Sequence, residues 1–178
     1  MADCHTKEQR RRNMAAIRAA STKPEQTLRR ALWHRGFRYR INSKRLPGTP
    51  DIVLPKHRTV VFVHGCFWHG HKDCKYYTVP QTNPEFCMVK VARNQERDQE
   101  VWRKLEAKGW SVVIVWECQL KRANLDETID RVAAEIVRNG ENYRAVQEER
   151  KKAREEYRRE RKERKEREQA LLEEVKSL

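Results

Sequence analysis

The apolar and polar positions of the first 36 residues follow helical spacing. Thr6 and Thr22 each stand three residues before a Gln or Glu, a capping-box pattern that predicts a helix start at both places. The first predicted helix is basic and runs to about Ala20. The second carries apolar side chains on one face and ends at Gly36, since glycine is favoured just past a helix end.

Extended segments follow these helices. Alternation of apolar and basic residues over 37–41 predicts a half-buried strand. Short β-branched runs at 51–54 and 59–63 predict a hairpin, because only a short turn that begins with proline separates them. Residues 64–84 have no regular period and predict an irregular segment. A continuous apolar run over 110–116 predicts a fourth strand that is buried on both faces.

Helical spacing returns in the second half of the chain. It predicts a helix over 85–108 and another from Asn124 that ends at Gly140. This order of elements predicts an α/β fold, a mixed central sheet flanked by helices, in a domain over 1–140. Residues 141–178 differ, because 24 of these 38 residues are charged. Their acid-first i,i+4 pairs predict a single charged helix without a core of its own.

Charge is concentrated at the start of the chain. The formal net charge is +14, and residues 1–50 hold 13 Lys or Arg against 3 acidic residues. A basic third beside a nearly neutral remainder indicates a polyanionic partner, most often nucleic acid, although a solvated basic face is the alternative. No stretch approaches the ~20 consecutive apolar residues of a membrane span. The first twenty residues lack a secretory signal, so we expect a cytoplasmic address.

Cysteine and histidine residues cluster in the irregular segment. An odd number of cysteines, 5, without a secretion signal favours metal binding or burial over disulfides. Cys66, His71 and Cys74 have metal-ligand spacing, and Cys118 follows the predicted fourth strand as the natural fourth ligand. Three thiolates and one imidazole with no open position describe structural zinc. Inert buried cysteines are the alternative.

An acid and two histidines are left over beside this loop. Asp51 opens one predicted strand and His64 directly follows the neighbouring strand, so the two would meet at one edge of the sheet. His69 is free for acid–base chemistry near neutral pH once the zinc ligands are assigned. Taken alone, Asp51 would be a turn cap, and a single histidine would have a structural role.

Two adjacent aromatic residues, Phe67 and Trp68, stand in the same loop. If zinc holds the loop in place, we expect the two rings not to be buried together. They would then serve as a wedge between base pairs, which unstacks and distorts the duplex. The alternative is that Trp68 covers the core.

Several motifs taken together resemble those of the very short patch repair (Vsr) endonucleases. They are Leu46-Pro47-Gly48-Thr49-Pro50-Asp51, His64-Gly65-Cys66-Phe67-Trp68-His69, Asn94-Gln95-Glu96-Arg97-Asp98, Val115-Trp116-Glu117-Cys118 and Arg12-Asn13-Met14-Ala15-Ala16-Ile17. The resemblance covers residue 1 to about 140 and implies a restriction-endonuclease-like core. It also implies a bacterial, nucleoid-associated enzyme that nicks the T-containing strand at T:G mismatches. Such mismatches arise when 5-methylcytosine, made by a companion cytosine-5 methyltransferase, deaminates.

The resemblance further implies roles for individual residues. Mg²⁺ would bind the carboxylate of Asp51 and the backbone carbonyl of Val63, a position where the family usually has Thr. His69 would activate the attacking water, and His64 would assist near the scissile phosphate. Glu25 would be an acid in the outer shell of the metal. These roles agree with metal-assisted phosphodiester hydrolysis.

DNA contacts are implied at both ends of this region. The two aromatic residues of the zinc loop would intercalate, and Met14 would fill the minor-groove side beside Arg12 and Asn13. A third wedge aromatic of the family aligns with Cys87, so intercalation would rest on the aromatic pair. Double-stranded DNA with a T:G mismatch is the implied substrate, and a MutL-type repair protein is an open partner.

Two other functions stay open at this point. The same fold serves restriction-type or RNA-directed nucleases, and a double-strand cut in matched DNA would favour that alternative. A zinc-stabilised DNA-binding module without catalysis is the other. Asp51 and His69 argue against such a module, because binding requires neither an acid nor a base.

Overall fold

The protein is described by a computed structural model that covers residues 6–15, 21–78 and 83–176. Its helices are α1 (Lys7–Ala15), α2 (Lys23–His34), α3 (Pro84–Ala107) and α4 (Leu125–Lys176), and its strands are β1 (Arg40–Ile41), β2 (Ile52–Leu54), β3 (Thr59–His64) and β4 (Ser111–Trp116). Short 3₁₀ turns occupy Pro55–His57 and Glu117–Leu120. None of the described helices is long and apolar enough to cross a membrane.

Local signals at the first two helices have the predicted geometry. Thr6 and Gln9 form a reciprocal capping box, in which the Thr6 N–H donates to Gln9 Oε1 and the Gln9 N–H donates to Thr6 Oγ1. At α2, the Thr22 N–H donates to Glu25 Oε1 at 3.2 Å. Both helices therefore begin where the sequence predicts.

The four strands form one mixed sheet in the order β1-β2-β3-β4. The first three are antiparallel neighbours, whereas β3 and β4 are parallel. Parallel neighbours need a crossover connection, and α3 supplies it. The predicted hairpin and the predicted α/β fold with a mixed central sheet are confirmed.

Alternating side chains of β3 supply two different cores, one on each face of the sheet. On one face, Val61 packs in a buried cluster with apolar residues of α2, β4 and the first turns of α4. The members from those helices are Leu28, Leu32, Ile129, Val132 and Ile136. On the other face, Val60 and Phe62 pack with Leu105 of α3. The sheet is thus held between helices, with α2 and α4 on one face and α3 on the face that leads to the loop after β3.

Three elements differ from their prediction. The strand expected over 37–41 is reduced to β1, whose two residues are exposed. In the described sheet β4 lies at an edge, and its side chains alternate between fully buried Val113 and Val115 and half-buried neighbours. The third difference is at Gly140, which does not end a helix: α4 continues through it. Glycine within a helix costs about 1 kcal/mol relative to alanine, and strong helix formers on its C-terminal side outweigh this.

The chain divides into two compact units, Met1–Asn139 and Gly140–Leu178. The first contains the sheet, both cores and every residue of the candidate site. Of the second, the described part is helical and almost wholly exposed.

Candidate active site

Asp51 lies immediately before β2, next to the end of β3. Its Oδ2 accepts a hydrogen bond of 2.8 Å from the backbone N–H of Val63. Burial, the main cause, and the neighbouring Glu25 carboxylate raise the pKa of Asp51 to about 6, against the lowering effect of the hydrogen bond from Val63. The site therefore holds a carboxylate whose charge is poorly compensated, a state that a bound cation would relieve.

Glu25 reaches Asp51 through an arginine that no motif singled out. The buried Arg29 guanidinium donates through Nη2 to Glu25 Oε2 at 2.9 Å and to the backbone carbonyl of Asp51 at 3.0 Å. Glu25 also accepts from the backbone N–H groups of Ser21 and Thr22. Its carboxylate thus caps α2 and holds Arg29, and Arg29 fixes the backbone that carries Asp51.

His64 and His69 come together as expected, and a carboxylate joins them. Their rings stack with centroids 3.8 Å apart. His69 Nδ1 donates to Oδ2 of Asp98 at 2.5 Å, and the ligand atoms of all three side chains lie within 4.8 Å of one another. Asp98 belongs to α3, so this helix completes a group that the strand and the loop begin.

The site lowers the pKa of both neighbours of His69, which leaves His64 neutral and Asp98 ionised. Burial and the positive charge of His69 lower the pKa of His64 to about 4, so His64 is neutral at pH 7. For Asp98, burial acts to raise the pKa, but the hydrogen bond from His69 and the charge of that ring lower it. Within the described residues, Nδ1 of buried His64 has no hydrogen-bond partner. A neutral His64 and an ionised Asp98 carboxylate, bonded to His69, therefore share one site.

Helix α3 also holds the loop that carries His69. Asn94 Nδ2 donates to the backbone carbonyl of Trp68 at 2.9 Å, and Gln95 Nε2 donates to that of His69 at 3.2 Å. Gly70 has a φ of +64°, and a Cβ there would lie 2.5 Å from Gln95 Nε2. The absence of a side chain at Gly70 lets the loop approach α3 this closely.

An open cleft of about 430 Å³ adjoins these groups. Its walls include His64, His69 and Asp98, together with Trp102 and Trp116. The cleft places an imidazole and an Asp–His pair where a ligand from solvent can reach them.

The four predicted metal ligands converge. The ligand atoms of Cys66, His71, Cys74 and Cys118 all lie within 4.8 Å of one another. His71 Nδ1 lies 3.4 Å from the Cys118 sulfur, and its ring stacks on Trp116 with centroids 4.1 Å apart. Burial raises the pKa of the Cys66 thiol to about 12. Three sulfur atoms and one imidazole at this spacing are a group that can hold a metal ion.

Phe67 and Trp68 stand between Cys66 and His69 along the chain, and both are half-buried. Their rings meet edge to face with centroids 4.9 Å apart, and Lys90 Nζ lies 4.9 Å from the Trp68 ring. Both rings are therefore partly accessible, and the Trp68 ring lies beside a cation of α3.

The structure describes the other residues predicted to contact DNA only in part. Arg12 lies on α1, exposed, in an ion pair with Glu8. The side chains of Asn13 and Met14 lie outside the described residues. Cys87 stands half-buried on the first turns of α3, beside Phe86, which is 68% exposed.

Comparison with known proteins identifies the relatives of this chain. A family model described as DNA mismatch endonuclease Vsr matches residues 2–76. The chain is 45% identical over 137 residues to the type II nicking enzyme V.NmeAIP of Neisseria meningitidis serogroup A, across 76% of this chain and 97% of that protein. It is 44% identical over 121 residues to the DNA mismatch endonuclease Vsr of Escherichia coli, across 68% and 77%. The type II nicking enzyme V.XorIIP of Xanthomonas oryzae is also 44% identical, across 67% and 88%.

Proposed function

This chain belongs to the Vsr family of DNA mismatch endonucleases and is a DNA endonuclease of the nicking type, and we propose that it nicks the T-containing strand at T:G mismatches. The observation that carries the proposal is the His69–Asp98 pair beside His64, at the sheet edge that holds Asp51. Phosphodiester hydrolysis needs a base that takes a proton from water and a cation that binds the phosphate. This edge has an imidazole for the first role and oxygen ligands for the second.

Asp51 and Val63 fit Mg²⁺ by the chemistry of their donors. Mg²⁺ takes oxygen ligands, and the Asp51 carboxylate and the Val63 carbonyl supply them at neighbouring strand positions. The raised pKa of Asp51 supports the assignment, because it shows that the ionised carboxylate lacks a compensating positive charge, which a cation would supply. When bound, Mg²⁺ would supply neutralising charge for the phosphate and acidify a coordinated water.

His69 is assigned as the base that takes a proton from the attacking water. Since its Nδ1–H is held by Asp98, the lone pair of the neutral ring is on Nε2. Asp98 fixes that tautomer and stabilises the ring when it becomes charged. Neutral His64, stacked on His69, is assigned to the scissile phosphate. Glu25 stands in the outer shell and positions Asp51 through Arg29.

The Cys66, His71, Cys74 and Cys118 group is assigned to structural zinc. Four nitrogen and sulfur donors leave no open position for a substrate, so the ion would hold the loop and not the phosphate. The loop lacks regular secondary structure, and ligation would offset the entropy lost when it is ordered.

DNA distortion is assigned to Phe67 and Trp68, with the segment of Arg12, Asn13 and Met14 on the minor-groove side. The nicking unit is residues 1–140, and 141–178 is an extension. The proposal places the protein in the bacterial cytoplasm with the nucleoid. It links the protein to a companion cytosine-5 methyltransferase, whose product deaminates to thymine, and to a MutL-type repair partner.

A strand-resolved nicking assay tests the proposal. The panel holds T:G, T:A, C:G and other mismatched duplexes in varied flanking sequence, with Mg²⁺ present. We expect a nick confined to the T strand of T:G duplexes. Cleavage of matched duplexes on both strands would overturn it in favour of a restriction-type nuclease. Binding to T:G without cleavage would overturn it in favour of a zinc-stabilised binding module.

A further inference from the structure

The charged helical segment beyond residue 140 carries a continuous basic face. At about 100° of rotation per residue, six Lys or Arg residues fall within an arc of about 80°. These residues, here called the basic stripe, are Arg144, Lys151, Arg154, Arg158, Lys162 and Lys165. Between residues 141 and 169 no Asp or Glu falls within the same arc.

The side that adjoins one edge of the stripe is acidic. Eight Glu residues share it with only three basic residues, which are Lys152, Arg159 and Arg167. Arg167 forms an ion pair with Glu163, both on this side. Residues 141–178 hold 13 basic and 11 acidic residues in total, so their near-neutral sum conceals a separation of charge across the helix.

The stripe side chains are exposed, and most are unpaired. Among the residues that the structure describes, only Lys162 of the stripe has an ion-pair partner, Glu166 at 3.6 Å. Exposed pairs of this kind contribute little and are readily exchanged. The stripe therefore carries positive charge that ion pairs within the described helix do not neutralise.

A polyanion in the form of a rod matches this stripe. At 1.5 Å per residue the stripe is about 30 Å long, and duplex DNA presents a phosphate charge about every 1.7 Å of its axis. A charge acts strongly only within a Debye length of about 8–10 Å. Because the centres of the two sides lie about 130° apart around a helix about 10–12 Å across, most of the acidic side faces away from a polyanion that contacts the stripe.

We propose that the basic stripe binds the phosphate backbone of duplex DNA independently of sequence, as a surface additional to the nicking unit. DNA is favoured over other polyanions because the chain is a DNA endonuclease. The chain is also longer than the N. meningitidis relative: 137 aligned residues, 76% of this chain, already cover 97% of that protein. The inference rests on DNA as the substrate and not on T:G specificity.

Two triple variants of the full chain test this surface. The stripe variant carries Arg154→Gln, Arg158→Gln and Lys165→Gln, and the matched control carries Lys152→Gln, Arg159→Gln and Arg167→Gln. Each loses three positive charges and keeps good helix formers. Binding to a fully matched duplex is measured against salt concentration without added divalent cation. We expect the slope of log K against log salt to fall by about 2–3 in the stripe variant, since each phosphate contact contributes about 0.9. The control should change by less than about 1.

Equal slopes in the stripe variant and wild type, or equal losses in both variants, would overturn the proposal. Sedimentation gives the oligomeric state of each protein. If the wild type and the control are dimers and the stripe variant is a monomer, the stripe binds the acidic side of a second copy, which would also overturn the proposal. Circular dichroism checks the helix in each variant. The single variants Arg158→Gln, in the stripe, and Arg159→Gln, on the acidic side, repeat the comparison at adjacent positions. T:G nicking is scored separately, so its failure leaves the slope measurement intact.

Discussion

His69 Nδ1 lies 2.5 Å from Oδ2 of Asp98, and this contact joins the loop after β3 to the buried side of α3. The two side chains are 19% and 11% exposed, so water competes weakly for the hydrogen bond. A histidine held in this way keeps one tautomer and one orientation. The contact therefore makes Asp98 a positioning residue for the proposed base.

Replacing Asp98 tests that role. An Asp98→Asn enzyme cannot stabilise a charged His69, and we expect its single-turnover nicking rate to fall by about 10²–10⁴-fold. The matched control is Glu100→Gln, which removes an exposed carboxylate of the same helix that pairs with Lys104. In a His69→Ala background, Asp98→Asn should cause no further loss, because the two residues act as a unit. Additive losses would contradict the assignment.

Asp51→Asn should remove nicking and yet stabilise the metal-free protein. Burial raises the pKa of Asp51 from 3.8 to about 6, so the ionised carboxylate destabilises the fold above pH 6. After allowance for solvent screening we expect a gain of about 1–2 kcal/mol in the free energy of unfolding at pH 8. The gain should disappear as the pH falls from 6 towards 3.8, because the carboxylate is then neutral in both folded and unfolded chains.

Urea unfolding of both proteins across this pH range measures the difference. Mg²⁺ should stabilise the wild type more than the Asp51→Asn variant, since a ligand that binds only the native state adds to its stability. Equal stabilisation of the two proteins by Mg²⁺ would contradict the magnesium assignment.

Acid should destabilise the protein through His64. Its pKa is lowered from 6.5 to about 4, so the unfolded chain binds a proton that the folded chain rejects. Stability is therefore expected to fall as the pH drops from 6.5 to 4, and His64→Gln should flatten that decline. Thermal unfolding of both proteins measures this decline. If stability declines equally in the variant and the wild type, other groups are responsible.

His71→Ala should lower both the zinc content and the melting temperature, because a lost ligand removes folding free energy of several kcal/mol. Cys87→Ala is the matched control, since this cysteine stands outside the four-ligand group. His69→Ala should leave folding intact and remove turnover. Unfolding that neither His71→Ala nor a chelator alters would exclude a structural metal.

Trp68→Ala should weaken binding to T:G duplexes by about tenfold to a hundredfold, the equivalent of one lost base–aromatic stack. Trp33→Ala, which removes a half-exposed tryptophan of α2, should leave binding within about twofold of the wild type. Equal affinities for Trp68→Ala and wild type would contradict the wedge.

The sequence was sufficient for features that short-range interactions decide. Capping patterns at Thr6 and Thr22, the hairpin of β2 and β3, and the mixed α/β fold follow from local pattern and are confirmed. The family was also evident from motifs, and the comparisons confirm it. Gly140 is the clearest local error, because the strong helix formers that follow it outweigh the cost of a single glycine.

Convergence of the four predicted metal ligands was predictable for a related reason. Three of the four stand in one short loop, so their spacing along the chain limits their separation in space. Asp51 and His64 were likewise expected at one sheet edge, because neighbouring strands bring their ends together.

Tertiary structure alone decided which charged groups complete the site. Asp98 contacts His69 across 29 positions, and Arg29 contacts the Asp51 carbonyl across 22. No period or spacing predicts such contacts, because they depend on how α2 and α3 pack against the sheet. The pKa shifts of Asp51 and His64 arise from the same packing, since burial is a property of the folded core. The sequence by itself determined which chemical groups are present and which local elements carry them; only the packed fold determined their partners and their charge.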